Sequence, residues 1–272
     1  MKKVIIFIFI LAAAICAVWV SMKACQSGSF SLNPISPSDN MISRNLTLDD
    51  FDEIETSRVD IEYTVGTPGN AVLTAPDNVI DNIIVIVKEG ELKISLRNEH
   101  NYKSDIKATL TVSSSSIKDI DASLSSQVNV HSYINSNDLL DLNATTSARI
   151  NIDSVKCGEA EFITKTSGKI IVGNLECSGK AFLKASTSAK LNIDKLTANK
   201  LDAESSTSAD LTVNSGKVGK IDLDASTSSK INMFADYDSG KADASTSGRI
   251  NLASDNNLNS RETSTHGRIK VR

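Results

Sequence analysis

Three sets of side chains recur at spacings that could do chemistry. Arg149, Lys169, Lys190, Lys230, Arg249 and Arg268 hold one position of a phrase that returns every 19 to 22 residues, with Asp210 in the place of a seventh cation. A regular row of cations is an array of donors suited to an anionic glycan or a phosphate-bearing polymer. The same row also protects strand edges and keeps a surface soluble. Asp202, Glu204, Asp222, Asp224 and Asp243 form the second set. Stacked carboxylates are what acid–base or calcium-assisted sugar cleavage needs. Beside so many Lys and Arg they also read as a solvated, balanced face. The third set is serine. The only histidines that could activate one are His100, His131 and His266, and His266 stands where other copies have Ser. Nucleophilic catalysis therefore lacks its base, and no catalytic residue or cofactor is expected.

Four cysteines in no tight cluster give no zinc motif, and no metal site is expected. Cys157 and Cys177 are 20 residues apart, each ten residues after its own copy's serine, Ser147 or Ser167. Equal register on neighbouring strands would place their Cα atoms ~4.8 Å apart, within disulfide range. Ala198 and Val218 hold the equivalent later positions, which points to the core and to two stacked free thiols. Both states remain open.

The elements that position these groups follow from the phrase itself. It reads TTSARINI, KTSGKIIV, STSAKLNI, STSADLTV, STSSKINM and STSGRINL, with degenerate copies SLSSQVNV and STHGRIKV on either side. Alternate residues are apolar or small, as in Leu140, Leu142, Ala144, Thr146, Ala148, Ile150 and Ile152. Period two means strand. Helix-pair repeats need ~33 residues or more and are excluded. The economical fold is an all-β, parallel β-solenoid with one coil per copy, each stabilised mainly by its neighbours. Ile150, Ile170, Leu191, Leu211, Ile231, Ile250 and Ile269 are expected to stack inward. A Thr ladder (Thr146, Thr166, Thr187, Thr207, Thr227, Thr246, Thr265) is also expected inward at a corner, with the serines outward. Asn151, Asn192, Asn232 and Asn251 should form a broken outward amide column.

Upstream, residues 46–118 show strands without the repeat. Val59, Ile61, Tyr63 and Val65 alternate, Glu89-Gly90 joins the run 83–87 to Leu92, Ile94 and Leu96, and Ile106, Ala108, Leu110 and Val112 follow. This region is expected to cap the first coil, and residues 119–272 to form the solenoid. The first 25 residues read as an address. Lys2 and Lys3 precede an apolar run, Val4 to Val20, and Cys25 follows Ala24. Lipidation at Cys25, ordinary signal cleavage and an uncleaved membrane anchor all fit. Residues 26–45, rich in Ser, Asn and Pro, are expected to be a flexible tether.

The order of anchor, FDEIETSRVDIEYTVG, a KEGELKI hairpin, IKATLTV and then the Ser-Thr-Ser-Gly/Ala copies resembles the putative auto-transporter adhesin, head GIN domain family of exported bacterial proteins. The resemblance covers roughly residues 46–272. It implies a right-handed β-helix, an envelope location at the outer membrane, periplasm or cell surface, and an adhesive role, and it carries over no site residues. The net charge of -4 and pI near 5.5 argue against nucleic acid as a partner. The remaining classes are a non-enzymatic adhesin-like protein that meets an anionic glycan or envelope polymer, a polysaccharide lyase or hydrolase on the same solenoid, and a self-assembling scaffold. The chain is expected to be a monomer, with end-to-end association through its uncapped last coil as the alternative.

Overall fold

A computed structural model of the protein describes residues 34–97, 101–102 and 106–271. The leader, Cys25, the start of the tether and His100 lie outside the described residues. The chain divides into two units, one of residues 1–37 and 97–104 and the other of residues 38–96 and 105–272. In the first, Ile35 forms a parallel bridge with Tyr102, and its N–H donates to the Asn101 carbonyl at 2.7 Å.

Among its described residues the second unit is nearly all-β, its strands joined by turns and one short 3-10 turn at Ile80–Asn82. Its early strands are β1 (Met41–Thr47), β2 (Glu53–Ser57), β3 (Asp60–Val65), β4 (Asn70–Pro76), β5 (Ile83–Lys88), β6 (Glu91–Leu96), β7 (Thr109–Ser114), β8 (Asp119–Ser123) and β9 (Gln127–Val130). From Leu139 onward each copy of the phrase is one coil, and coil pairs with coil in parallel register. The fold is the expected parallel β-solenoid.

Burial explains the stacking. One inward ladder runs Leu110, Ile61, Val128, Ile150, Ile170, Leu191, Leu211, Ile231, Ile250 and Ile269, each in register with the next. Every member is at most 5% exposed. At ~25 cal/mol per Å² of apolar area removed from water, such ladders supply the main favourable term, and no coil could bury them alone.

The region 46–118 does more than cap. Strand β2 pairs in parallel with both β6 and β8, and β3 with both β7 and β9. The segment 53–65 is thus a coil inserted between one built from β6 and β7 and one built from β8 and β9. The capping role falls to antiparallel additions at that end: β4 on β7, β1 on β4, and β5 on β6. The β5–β6 hairpin turns at Glu89 and Gly90, with φ of 55° and 85°.

Two expectations are corrected. Strand β1 begins at Met41, so the tether expected over 26–45 ends sooner. Its residues are nearly all exposed, so no apolar pattern announced the strand. The backbone ladder to β4, from Met41–Pro76 to Thr47–Asn70, holds it. The Thr ladder does not face inward: Thr146, Thr166, Thr187, Thr207, Thr227, Thr246 and Thr265 are all exposed.

Candidate binding surface

The reason for that correction lies in the corner. In each phrase two consecutive turn residues have positive φ, for example 49° and 67° at Thr146 and Ser147; the pair is Leu124-Ser125 in the first copy and Thr265-His266 in the last. The Ala148 N–H closes the turn on the Thr145 carbonyl at 3.0 Å. Two consecutive left-handed residues inside a four-residue turn are the signature of type I′. A β-branched residue is unfavourable at positive φ, and the stack compensates. The Ser147 N–H donates to the Thr166 carbonyl at 3.0 Å, and the same bond recurs from Ser167 to Thr187 and on to the last turn, Ser247 to Thr265. The residue after the serine is the one that turns in, and it must be small. A Cβ on Gly168 would stand 2.1 Å from the Ala144 carbonyl oxygen.

Beyond each turn the strand presents its outward residues in columns. Arg149, Lys169, Lys190, Asp210, Lys230, Arg249 and Arg268 are successive register partners. All are exposed or half-buried. Among the described residues none of the six cations is in an ion pair, Asp210 included as a partner. The next outward column is the amide row. Asn151 Nδ2 donates to Asn129 Oδ1 at 2.8 Å, and Asn251 Nδ2 to Asn232 Oδ1 at 2.8 Å. Ile171 and Thr212 interrupt it, and Asn232 donates to the Thr212 hydroxyl at 3.1 Å. The result is a strip of cations edged by amides on one side and turn hydroxyls on the other.

The carboxylates lie on the strands before the turn. Asp202 and Asp222 are register partners, as are Glu204, Asp224, Asp243 and Glu262 in series. Lysines neutralise many of them: Lys180 and Lys200 on Asp202 (2.7 and 2.8 Å), Lys184 on Glu204 (2.6 Å) and Lys241 on Asp222 (3.0 Å). No group of three His, Cys, Asp or Glu side chains among the described residues is arranged to hold a metal ion. Asp202, Glu204 and Asp222 are thus paired, whereas Asp224, Asp243 and Glu262 are in no ion pair among the described residues, and burial with the neighbouring acids raises the Asp224 carboxyl. His131 bonds to Glu62, and His266 sits exposed in the last turn.

The column of Asp202 and Asp222 continues past Phe182 into a further acidic run that was not legible in the sequence. Glu91, Glu53, Asp119, Asp141 and Glu161 are successive register partners, with Glu55 and Asp121 beside them. Two of these neighbours exist only because the 53–65 coil is inserted out of chain order. Partial burial and the charges of Asp141, Glu53, Asp121 and Glu91 push the Asp119 carboxyl up to about 6. Burial and neighbouring acids also raise Asp121 and Asp141.

A raised carboxyl binds its proton more tightly in the folded state. Its contribution to stability is therefore fully present below the unfolded value near 4 and is lost as pH rises through about 6. Asp119→Asn is expected to stabilise the protein at pH ~7.5 by about 1–2 kcal/mol, a figure reduced from the full shift for solvent screening. The gain should vanish near pH ~4, where the parent is itself protonated. Thermal melts at the two pH values check this, and an equal effect at both would refute the charge explanation.

Cys157 and Cys177 are register partners, both buried, with Sγ atoms 3.5 Å apart. The spacing did foretell their contact. The two sulfurs are in contact and unbonded in this structure. Both side chains leave parallel strands in the same direction, and a bond would need the sulfurs to close to ~2.05 Å.

A family model described as putative auto-transporter adhesin, head GIN domain, matches residues 50–215 and 171–272. No curated protein matches the chain. Among solved structures, a putative adhesin from Parabacteroides merdae superposes with a TM-score of 0.73 at 16% identity, covering 88% of this chain and 99% of its own. A putative adhesin from Bacteroides fragilis gives 0.64 at 20% identity, covering 88% and 100%. A putative lipid binding protein from Parabacteroides distasonis gives 0.71 at 18% identity, again covering 88% and 100%. At these identities the likeness is one of fold.

Proposed function

Because the chain belongs to the putative auto-transporter adhesin, head GIN domain family, we propose that it is a non-enzymatic, exported envelope protein that binds an anionic glycan or other anionic envelope polymer along its cationic column. The observation that carries this reading is the column itself. Six cations, three of them consecutive at Arg149, Lys169 and Lys190 and three at Lys230, Arg249 and Arg268, stand in register with no ion-pair partner among the described residues. Rows of like charge at the strand spacing of ~4.8 Å repel one another. A polyanion lying along the row relieves that repulsion, and the adjacent amides and hydroxyls supply donors and acceptors to sugar hydroxyls. Solved neighbours named as putative adhesins support a surface-binding role.

Retention of the detergent-purified full chain on immobilised polygalacturonate tests the reading. Lys169→Glu, Lys190→Glu and Lys230→Glu together are expected to abolish retention at ~0.15 M salt, where the Debye length is ~8 Å. Equal retention of parent and variant would remove the column from the function.

The leader supplies the second part of the proposal. Lys2 and Lys3 followed by the apolar run to Val20 direct export, and a lipid on Cys25 holds the protein at a membrane. Cys25→Ala should release the protein from the membrane fraction; a variant that stays bound with its leader intact would make the apolar run an anchor instead.

A further inference from the structure

We propose that the acidic row at the first coils is a docking face for the cationic column of a second copy of this chain. The row is an unpartnered sheet face on which Glu53, Asp119, Asp141 and Glu161 follow one another coil by coil. Lys118 reaches Glu53 (3.1 Å), and Lys93 reaches Glu55 and Glu91. Asp119, Asp121, Asp141 and Glu161 are in no ion pair among the described residues. The described part of the protein therefore carries a run of acids and a run of cations without ion pairs, Lys93 acting on Asp121 and Lys180 on Glu161 only at longer range; Asp224, Asp243 and Glu262, at the other end of the acidic face, are a further such run.

The two rows also share a period. Each takes one residue from every coil, so both repeat at the same strand spacing of ~4.8 Å. A partner with a different repeat drifts out of step after a few charges. A second copy stays in step along the whole contact, because the same backbone hydrogen bonds set both rows. Complementary potentials of this kind fix register and suppress other partners.

The rows are offset along the stack and overlap in two coils, where Asp141 shares a coil with Arg149 and Glu161 with Lys169. The acids occupy β6, β2, β8 and the strands Leu139–Ala144 and Glu159–Thr164, whereas the cations start in the strand Arg149–Cys157 and run to Arg268–Val271. The contact is accordingly heterologous and staggered, and each added copy exposes the same two faces again. Such an interface builds open-ended side-by-side arrays rather than a closed dimer. The inference shares the cationic column with the proposed function, so a polyanion and a second copy compete for it.

Sedimentation velocity of the detergent-purified full chain tests this with two neutralised variants. The acid-face variant carries Asp119→Asn, Asp141→Asn and Glu161→Gln; the column variant carries Lys169→Gln, Lys190→Gln and Lys230→Gln. At low salt the parent is expected to form a concentration-dependent series of species that collapses to one at ~0.5 M salt. Each variant alone should lose the series. Their equimolar mixture should stop at a pair, because only one complementary interface remains between them. Circular dichroism confirms that both variants are folded. A parent that sediments as a single species at low salt, or a series that survives in either variant, overturns the proposal. The acid-face variant keeps its column and so should still be retained on polygalacturonate. Loss of association with retained polymer binding thus separates this interface from the glycan reading, and a parent that associates at low salt but is not retained on polygalacturonate would fault the glycan reading alone.

Discussion

Leu191→Asp is expected to unfold the middle of the solenoid. Leu191 is 1% exposed, between Ile170 below and Leu211 above, both in register with it. Removing the leucine costs about 2–5 kcal/mol through lost transfer energy and the space left behind. The carboxyl adds the penalty of a buried polar group without a hydrogen-bond partner, about 1–3 kcal/mol even when it is protonated. The sum is comparable to the ~5–15 kcal/mol that holds a domain folded. Because each coil leans on its neighbours, the damage should separate the coils before Leu191 from those after it. The parent should melt in one transition. The variant should melt in two, or lose more than ~15 °C in its first transition, taking ~2–4 °C per kcal/mol. Leu191→Ile, the residue that most of the ladder uses, should cost less than ~1.5 kcal/mol. An aspartate variant that melts within a few degrees of the parent would mean that the ladder does not carry the stability.

Gly216→Ala is expected to destabilise by about 3 kcal/mol or more, although the pattern of the coils invites the substitution. The inward column at this corner holds Val155, Leu175 and Leu196 in the earlier coils, with Gly216 next in register. Filling the column with a methyl therefore looks favourable. The backbone forbids it. Gly216 has φ 123°, outside the range that residues with a Cβ adopt, and an added Cβ would stand 1.9 Å from the Leu196 carbonyl oxygen. That oxygen is main chain in the adjoining coil and cannot rotate away. Relief would require breaking the local approach in which the Leu196 N–H donates to the Ser215 carbonyl at 3.0 Å. A urea melt gives the change directly. A variant as stable as the parent would show that the corner can open at little cost.

The sequence by itself determined most of what repeats. A phrase whose length equals one coil places like residues above like, so the inward ladder, the cationic column, the amide row and the contact of Cys157 with Cys177 could all be read from spacing. Alternation also located most early strands, including the hairpin at Glu89-Gly90. Tertiary structure decided what alternation cannot encode. Thr146 lies two residues after buried Ala144 and two before buried Ala148, so the apolar pattern runs through it in phase. Only the pair of left-handed residues, held by bonds from turn to turn, points it outward. Chain order likewise does not reveal stacking order. Segment 53–65 slides between the coils of β6–β7 and β8–β9 because parallel strands can take any neighbour whose apolar side completes the ladder. The residues 46–118 carry no phrase to mark that position. Strand β1 buries almost nothing and exists through its backbone bonds to β4, which no side-chain pattern announces. The acidic run of the first coils follows from the same insertion: Glu53 and Asp119 are 66 positions apart in the chain and adjacent in the stack. A non-local pairing of strands, not a local preference, makes them neighbours.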